Sequence, residues 1–242
     1  MLRLDELHLV PLITKHYTSD PVLSSAFTLA PVPGAIAHAS ARAVLVEMTD
    51  DCTIDMGDLE RKAAGSGAKV LLLSHMRGHI SDLTAVAALC ERLGIALIED
   101  CAHTMGAHWD GRPTGTFGAI GCFSAQTYKH INSGEGGLLV TDDDDIAAQV
   151  ILMSGSYMLY GQHPLRPADA VFERWRYTCF SPPAARADCT SSGSAWRSRR
   201  ATPAISGIGA ISTLPRCHIP GRCCAVCATS AFHSRSRRRS VP

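Results

Sequence analysis

The sequence predicts an α/β fold, a mostly parallel sheet between helices, and two observations carry that expectation. AVLVEM (43–48) is an apolar run of strand type, and KVLLLSH (69–75) and IALIE (95–99), apolar on both faces, fit strands covered by helices above and below. The last two flank a segment of helical period, and strand, helix and strand in succession form a crossover unit joining parallel strands.

Taken in order, the first forty residues carry scattered prolines (Pro11, Pro21, Pro31, Pro33) and a weak period, with one helix expected near 35–40. After the strand at 43–48, DMGDLERKAA (55–64) has helical character and leads to the strand at 69–75. Ser81 is expected to cap the next helix, DLTAVAALCERLG (82–94), which puts Leu83, Val86, Ala87, Leu89 and Cys90 on one face and ends at Gly94. The strand at 95–99 then brings Asp100 to a carboxyl end, where ligands of such sheets collect. Residues 106–121 read as a glycine-rich loop before the strand GCFSA (121–125). Gly134 to Gly137 precede the strand LLVTD (138–142), and Asp142 to Asp145 can cap a helix over 145–153.

The 242 residues are 46% hydrophobic, enough for a sizeable core, and the net charge of +1 argues against a polyanion-binding protein and so against nucleic acid as partner. No apolar run of about 18 residues is present, and the start MLRLDELHLV has acids where a signal peptide needs bases, so a cytoplasmic protein away from membranes is expected. Cys52, Cys90, Cys101 and Cys122 lie singly, as reduced cysteines do.

Beyond Thr178 the character changes. Residues 179–242 hold ten Arg, eleven Ser and six Cys, with Asp188 the sole acid and no Lys, and show no sustained period. The expected organisation is therefore a poorly specified segment (1–41), a core (42–178) and a disordered Arg/Ser/Cys-rich tail (179–242). A shifted reading frame in a GC-rich gene would yield such a tail, as would a natural disordered basic extension.

Between Ile98 and Gly137 an acid, a histidine, a serine and a lysine fall at or near strand ends, in IEDCAH, CFSAQTYK and GEGG. Only four lysines occur, Lys15, Lys62, Lys69 and Lys129, and Lys129 alone follows a buried strand in a glycine-flanked loop. Each type has a use if the ligand is pyridoxal 5′-phosphate (PLP): an amine forms an imine with its aldehyde, a carboxylate keeps its pyridine nitrogen protonated, and a hydroxyl binds phosphate. Taken singly, each also has a plainer reading, as a solvated loop lysine, a capping aspartate or a satisfied core histidine.

The combination resembles a known family. Residues 42–157, with RAVLVEMTDDCTIDMGDLE, SHMRGHISDL and LGIALIEDCAHTMGAHWDGRPTGTFGAIGCFSAQTYKHINSGEGGLLVTDD, resemble the DegT/DnrJ/StrS sugar aminotransferases, a branch of the fold-type-I PLP enzymes. The resemblance implies the three-layer large domain of that fold, incomplete here. It implies Lys129 as the Schiff-base lysine and proton carrier, Asp100 as partner of the pyridinium nitrogen, His103 against the ring or its 3-hydroxyl, and Ser124 as a phosphate ligand. It further implies amino transfer from a donor such as glutamate to a keto group of a nucleotide-linked sugar, in a homodimer; dehydratase relatives carry histidine where Lys129 stands.

The family's phosphate-binding Gly-Thr turn is not found, and its small C-terminal domain would begin where the Arg/Ser tail starts, so the resemblance implies a chain truncated at its N-terminus and out of frame after about residue 178. Two rivals stand beside the transaminase: an inactive remnant of one, and a basic-tailed module binding an acidic partner through 186–239. No metal is expected. His75 and His79 straddle Gly78 rather than share a helix face, and Cys223, Cys224, Cys227 and His218 fit chance in a cysteine-rich tail. Gly65-Ser66-Gly67 precedes a strand rather than following one, so it is no dinucleotide loop.

Overall fold

Val22 and Leu23 open a four-residue strand, β1 (Val22–Ser25), buried along its whole length, and the sheet extends from both of its edges. The computed structural model describes residues 21–134, 136–153 and 166–175, and the backbone of 225–228. Helix α1 (Pro31–His38) follows β1, and its Pro31 and Pro33 lie in the first turn, where a missing N–H costs nothing. Then come β2 (Ala43–Val46), α2 (Met56–Ser66), β3 (Val70–Ser74), a 3₁₀ turn at Met76–Gly78, α3 (Leu83–Leu93) and β4 (Ala96–Asp100). A small antiparallel ribbon, β5 (His108–Trp109) and β6 (Arg112–Pro113), precedes β7 (Ile120–Ser124), β8 (Gly137–Thr141), α4 (Asp144–Met153), α5 (Asp169–Trp175) and β9 (Ala225–Ala228).

The sheet order is β2-β1-β3-β4-β7-β8-β9. The first five are parallel, with β8 antiparallel to β7 and β9 antiparallel to β8. The expected α/β fold with a mostly parallel sheet between helices is therefore present. Because β2 and β3 flank β1 on opposite sides, the winding reverses beside β1, and the crevice at that reversal is where open α/β sheets bind ligands.

Alternation along the strands divides the core in two. On one face Val22, Val70, Leu72, Ile98, Ile120 and Leu139 pack with Ile36 of α1 and Ile146, Val150 and Ile151 of α4. On the other, Leu23, Leu71, Leu73 and Leu97 meet Leu59 of α2 and Leu83, Val86 and Leu89 of α3. Each such side chain contributes about 1.5–3 kcal/mol by leaving water. Among the described residues, no helix is long and apolar enough to cross a membrane.

Several local expectations are corrected or made specific. Ser81 does not cap α3: Asp82 does, accepting from Ala85 N at 3.0 Å, while the Ser81 hydroxyl accepts from Ile54 N and ties the β2–α2 connection to the start of α3. Of the aspartates before α4, Asp143 makes the cap, accepting from Asp145 N and Ile146 N. The loop expected over 106–121 contains the β5–β6 ribbon, whose two-residue turn has Asp110 and Gly111 both at positive φ, the Asp-Gly signature of a tight hairpin. Of 179–242 the structure describes the backbone of β9 alone; the expectation of a disordered tail otherwise lies outside the described residues, as do Cys223, Cys224 and His218.

Candidate active site

The carboxyl ends of β1, β3, β4 and β7 form the edge on which the polar groups gather. Asp100 ends β4 directly opposite Ser74, the last residue of β3. The Ser74 hydroxyl donates to Asp100 Oδ2 at 2.9 Å, and Asp100 Oδ1 accepts from Ala102 N at 3.1 Å. Since that uses the only hydrogen on Ser74 Oγ, the 2.6 Å contact between Thr28 Oγ1 and Ser74 Oγ has Thr28 as donor. Two hydroxyls thus lead from the loop after β1 to the half-buried carboxylate, across the point where the winding reverses.

His103 lies three residues beyond Asp100, in a turn closed by Thr104 N to Cys101 O. Its Nδ1 accepts from Arg77 N at 3.2 Å, and its Nε2 lies 3.0 Å from Lys129 Nζ. Its imidazole is pushed below the ordinary value, chiefly by burial, then by the charge of Lys129, with Asp100 opposing. Lys129 stands in a loop after β7 that closes on itself: Lys129 N donates to Gln126 O, Thr127 Oγ1 to Gly134 O, Asn132 Nδ2 to Thr127 O, and Ser133 N to Ala125 O. Gly134 and Gly136 take positive φ where this loop turns back into β8. Ser124, the end of β7, is buried, and its Oγ accepts from Gln126 N at 3.4 Å.

Asp100, His103 and Lys129 are therefore brought together, while Ser124 ends the neighbouring strand with its hydroxyl engaged by its own loop. Ser74, Thr28 and Glu99 are site-supporting residues the sequence reading passed over. Glu99 is fully buried; Oε2 accepts from Gly115 N, and Oε1 from Phe117 N and Gly118 N. Its signal was present, since a carboxylate inside an apolar strand has to find donors.

His75 is also buried, with Nε2 3.4 Å from Glu99 Oε2, whereas His79 is exposed and sets its ring edge against Phe27. His75, Glu99 and Cys101 offer atoms within 4.8 Å of one another. The Glu99 oxygens of that trio are engaged by main-chain N–H groups, which gives it a structural role, and burial, with Glu99 beside it, holds the Cys101 thiol well above its ordinary range.

The sequence description of the DegT/DnrJ/EryC1/StrS aminotransferase family matches residues 6–162. The chain belongs to that family. Among similar proteins, a putative L-glutamine:3-amino-2,3-dideoxy-scyllo-inosose aminotransferase of Micromonospora echinospora is 36% identical over 130 residues, 53% of this chain and 31% of that protein. An L-glutamine:scyllo-inosose aminotransferase of Streptomyces griseus is 40% identical over 124 residues, 48% and 29% respectively. The crystal structure of the aminotransferase TlmJ from Streptoalloteichus hindustanus superposes with a TM-score of 0.57 at 27% identity, covering 62% of this chain and 42% of that one. The chain thus spans about a third of the length of these curated relatives.

The family implies PLP, and the donor set fits it. An amine, a hydrogen-bonded carboxylate and an imidazole converge at the end of β4, and a buried hydroxyl ends β7.

Proposed function

We propose that this chain carries the PLP-binding core of a cytoplasmic aminotransferase acting on a keto group of a nucleotide-linked sugar. The observation that carries the reading is the meeting of Lys129 with His103 at 3.0 Å on the strand edge that ends in Asp100. When bound, PLP supplies an electron sink for a carbon bearing an amino group. In this reading Lys129 would hold the cofactor through its amine and would be the group that carries the proton. Asp100, steadied by Ser74 and Ala102 N, would partner the pyridine nitrogen and favour its protonated form. His103 would hold the ring, and Ser124 would give a hydroxyl to the phosphate.

The amino donor is glutamate or glutamine, the latter named for the two relatives described above. Tyr128 and Ile131, exposed 93% and 54%, stand on either side of Lys129 in the chain and offer large side chains that a second copy of the chain would cover in a homodimer.

The test is spectroscopic. PLP added to the purified chain is expected to give a visible absorption band, and borohydride reduction to fix the cofactor to Lys129, located by mass spectrometry. Lys129→Ala removes the label, and Lys62→Ala keeps it. A label that survives Lys129→Ala would overturn the lysine assignment, and no band or label on the chain itself would favour the inactive remnant.

A further inference from the structure

His103 stands between two partners whose demands on its ring can be worked out from hydrogens alone. A main-chain N–H can only donate, so the 3.2 Å bond from Arg77 N requires His103 Nδ1 to be the unprotonated nitrogen. An imidazolium, with both nitrogens protonated, could not accept it. A neutral imidazole with a bare Nδ1 carries its hydrogen on Nε2, and Nε2 is the atom 3.0 Å from Lys129 Nζ. There the ring is the donor, so the nitrogen it faces must offer a lone pair. An amine does so; an ammonium, with three hydrogens and no lone pair, does not.

We infer that the main-chain N–H of Arg77 locks His103 in its Nε2–H tautomer, and that His103 in this form selects the unprotonated amine of Lys129, holding the nucleophile ready. The inference rests on the lysine assignment proposed above and adds what prepares that lysine. His103 touches the reacting nitrogen, and the Arg77 backbone is the positioning element behind it.

The local chain is shaped for the purpose. Arg77 sits at φ 56, a left-handed conformation rare for a residue with a side chain, and Gly78 follows at φ 86. The turn they form is pinned at its base: His75 N donates to Asp100 O, Gly78 N to His75 O, and the buried His75 ring meets Glu99. The Arg77 N–H is thus held by the strand pair that also carries Asp100. Apart from Lys129 itself, the surroundings of His103 agree with a neutral ring: partial burial, first, depresses its proton affinity, Arg77 and His130 add to the depression, and Asp100 opposes it.

Two measurements on the full chain test the inference, and neither uses PLP. Long-range proton–nitrogen correlation spectra of the 15N-labelled protein at neutral pH are expected to show His103 Nδ1 as unprotonated and Nε2 as protonated. The opposite tautomer, or an average of the two, overturns the lock. Reductive methylation with formaldehyde and cyanoborohydride, with sites quantified by mass spectrometry, then reads the amine directly, with exposed Lys69 as internal standard. In His103→Phe the Lys129 to Lys69 ratio is expected to fall about tenfold at neutral pH, the scale of one hydrogen bond, and in His103→Gln, which keeps an N–H donor, to recover. An unchanged ratio in His103→Phe overturns the selection. Because formaldehyde replaces the cofactor, a chain that fails to take PLP leaves both readouts intact, and the two proposals fail separately.

Discussion

The Ser74 hydroxyl donates to Asp100 Oδ2 at 2.9 Å from the directly opposed position on the neighbouring strand. The carboxylate is thereby aimed by parallel register rather than by its own loop. Behind it, Thr28 donates to Ser74 in turn, so a three-group chain sets the orientation. Ser74→Ala is expected to weaken PLP binding about tenfold, the value of one hydrogen bond, and Asp100→Asn about 10–100-fold, since a bond to a charged group is lost. Thr28→Val, one step further away, should have the smallest effect. Fluorescence titration with PLP gives the order; an Asp100→Asn protein that binds as tightly as the parent would remove Asp100 from the pyridine nitrogen.

Glu99 is predicted to matter as much for stability as its neighbour does for chemistry. Its buried carboxylate gathers the N–H groups of Gly115, Phe117 and Gly118, and truncation takes this shared acceptor away from all three. Glu99→Ala is expected to cost about 3–5 kcal/mol in urea unfolding. Glu99→Gln, which keeps one oxygen, should cost less. A loss below about 1 kcal/mol in Glu99→Ala would mean that water replaces the carboxylate.

The same segment explains two glycines, Gly118 in the loop and Gly121 in β7. A Cβ on Gly118 would stand 2.3 Å from Leu97 O, and one on Gly121 2.2 Å from Gly115 O, both against backbone that cannot yield cheaply. Gly118→Ala should therefore destabilise by about 3 kcal/mol. Gly65 offers the contrast. It lies within α2 with nothing within 4 Å of its added Cβ, and Gly65→Ala should stabilise by about 0.5–1 kcal/mol, as a helix gains from losing a glycine. Thermal melts of the two variants should move in opposite directions.

How far the sequence discloses this arrangement depends on the length and polarity of each element. β3, α3 and β4 are legible because their apolar runs are long, and α3 and β4 stop at Gly94 and Asp100. β1 is not: it has four residues, two of them serines, and it is the packing of neighbours on both sides that buries Ser24 and Ser25 completely. The antiparallel sense of β8 is equally hidden, because a buried strand reads the same in either direction. At the site, Asp100, His103, Ser124 and Lys129 stand out by residue type and motif. Ser74, Thr28 and the Arg77 N–H do not, since their part comes from register and from a main-chain atom carrying no side-chain signature.

A final prediction concerns pH and Asp58, at the start of α2. Its buried carboxylate accepts from Glu47 N at 2.7 Å and pairs with Lys62 and Arg61, joining the end of β2 to the helix. The Glu47 N–H, first, and then Lys62 hold the Asp58 carboxyl below the ordinary aspartate range, and outweigh the opposing effect of burial. Because the folded value is the lower one, the unfolded chain takes up the proton first as pH falls. The stabilisation is thus fully present above the ordinary aspartate range and disappears as pH drops through the folded value. Asp58→Asn should accordingly be less stable than the parent by a constant margin from neutral pH down to about pH 5, and the margin should close below about pH 4. Urea midpoints for both proteins across that range measure it. A margin unchanged at the acid end would assign the loss to packing rather than to the charge.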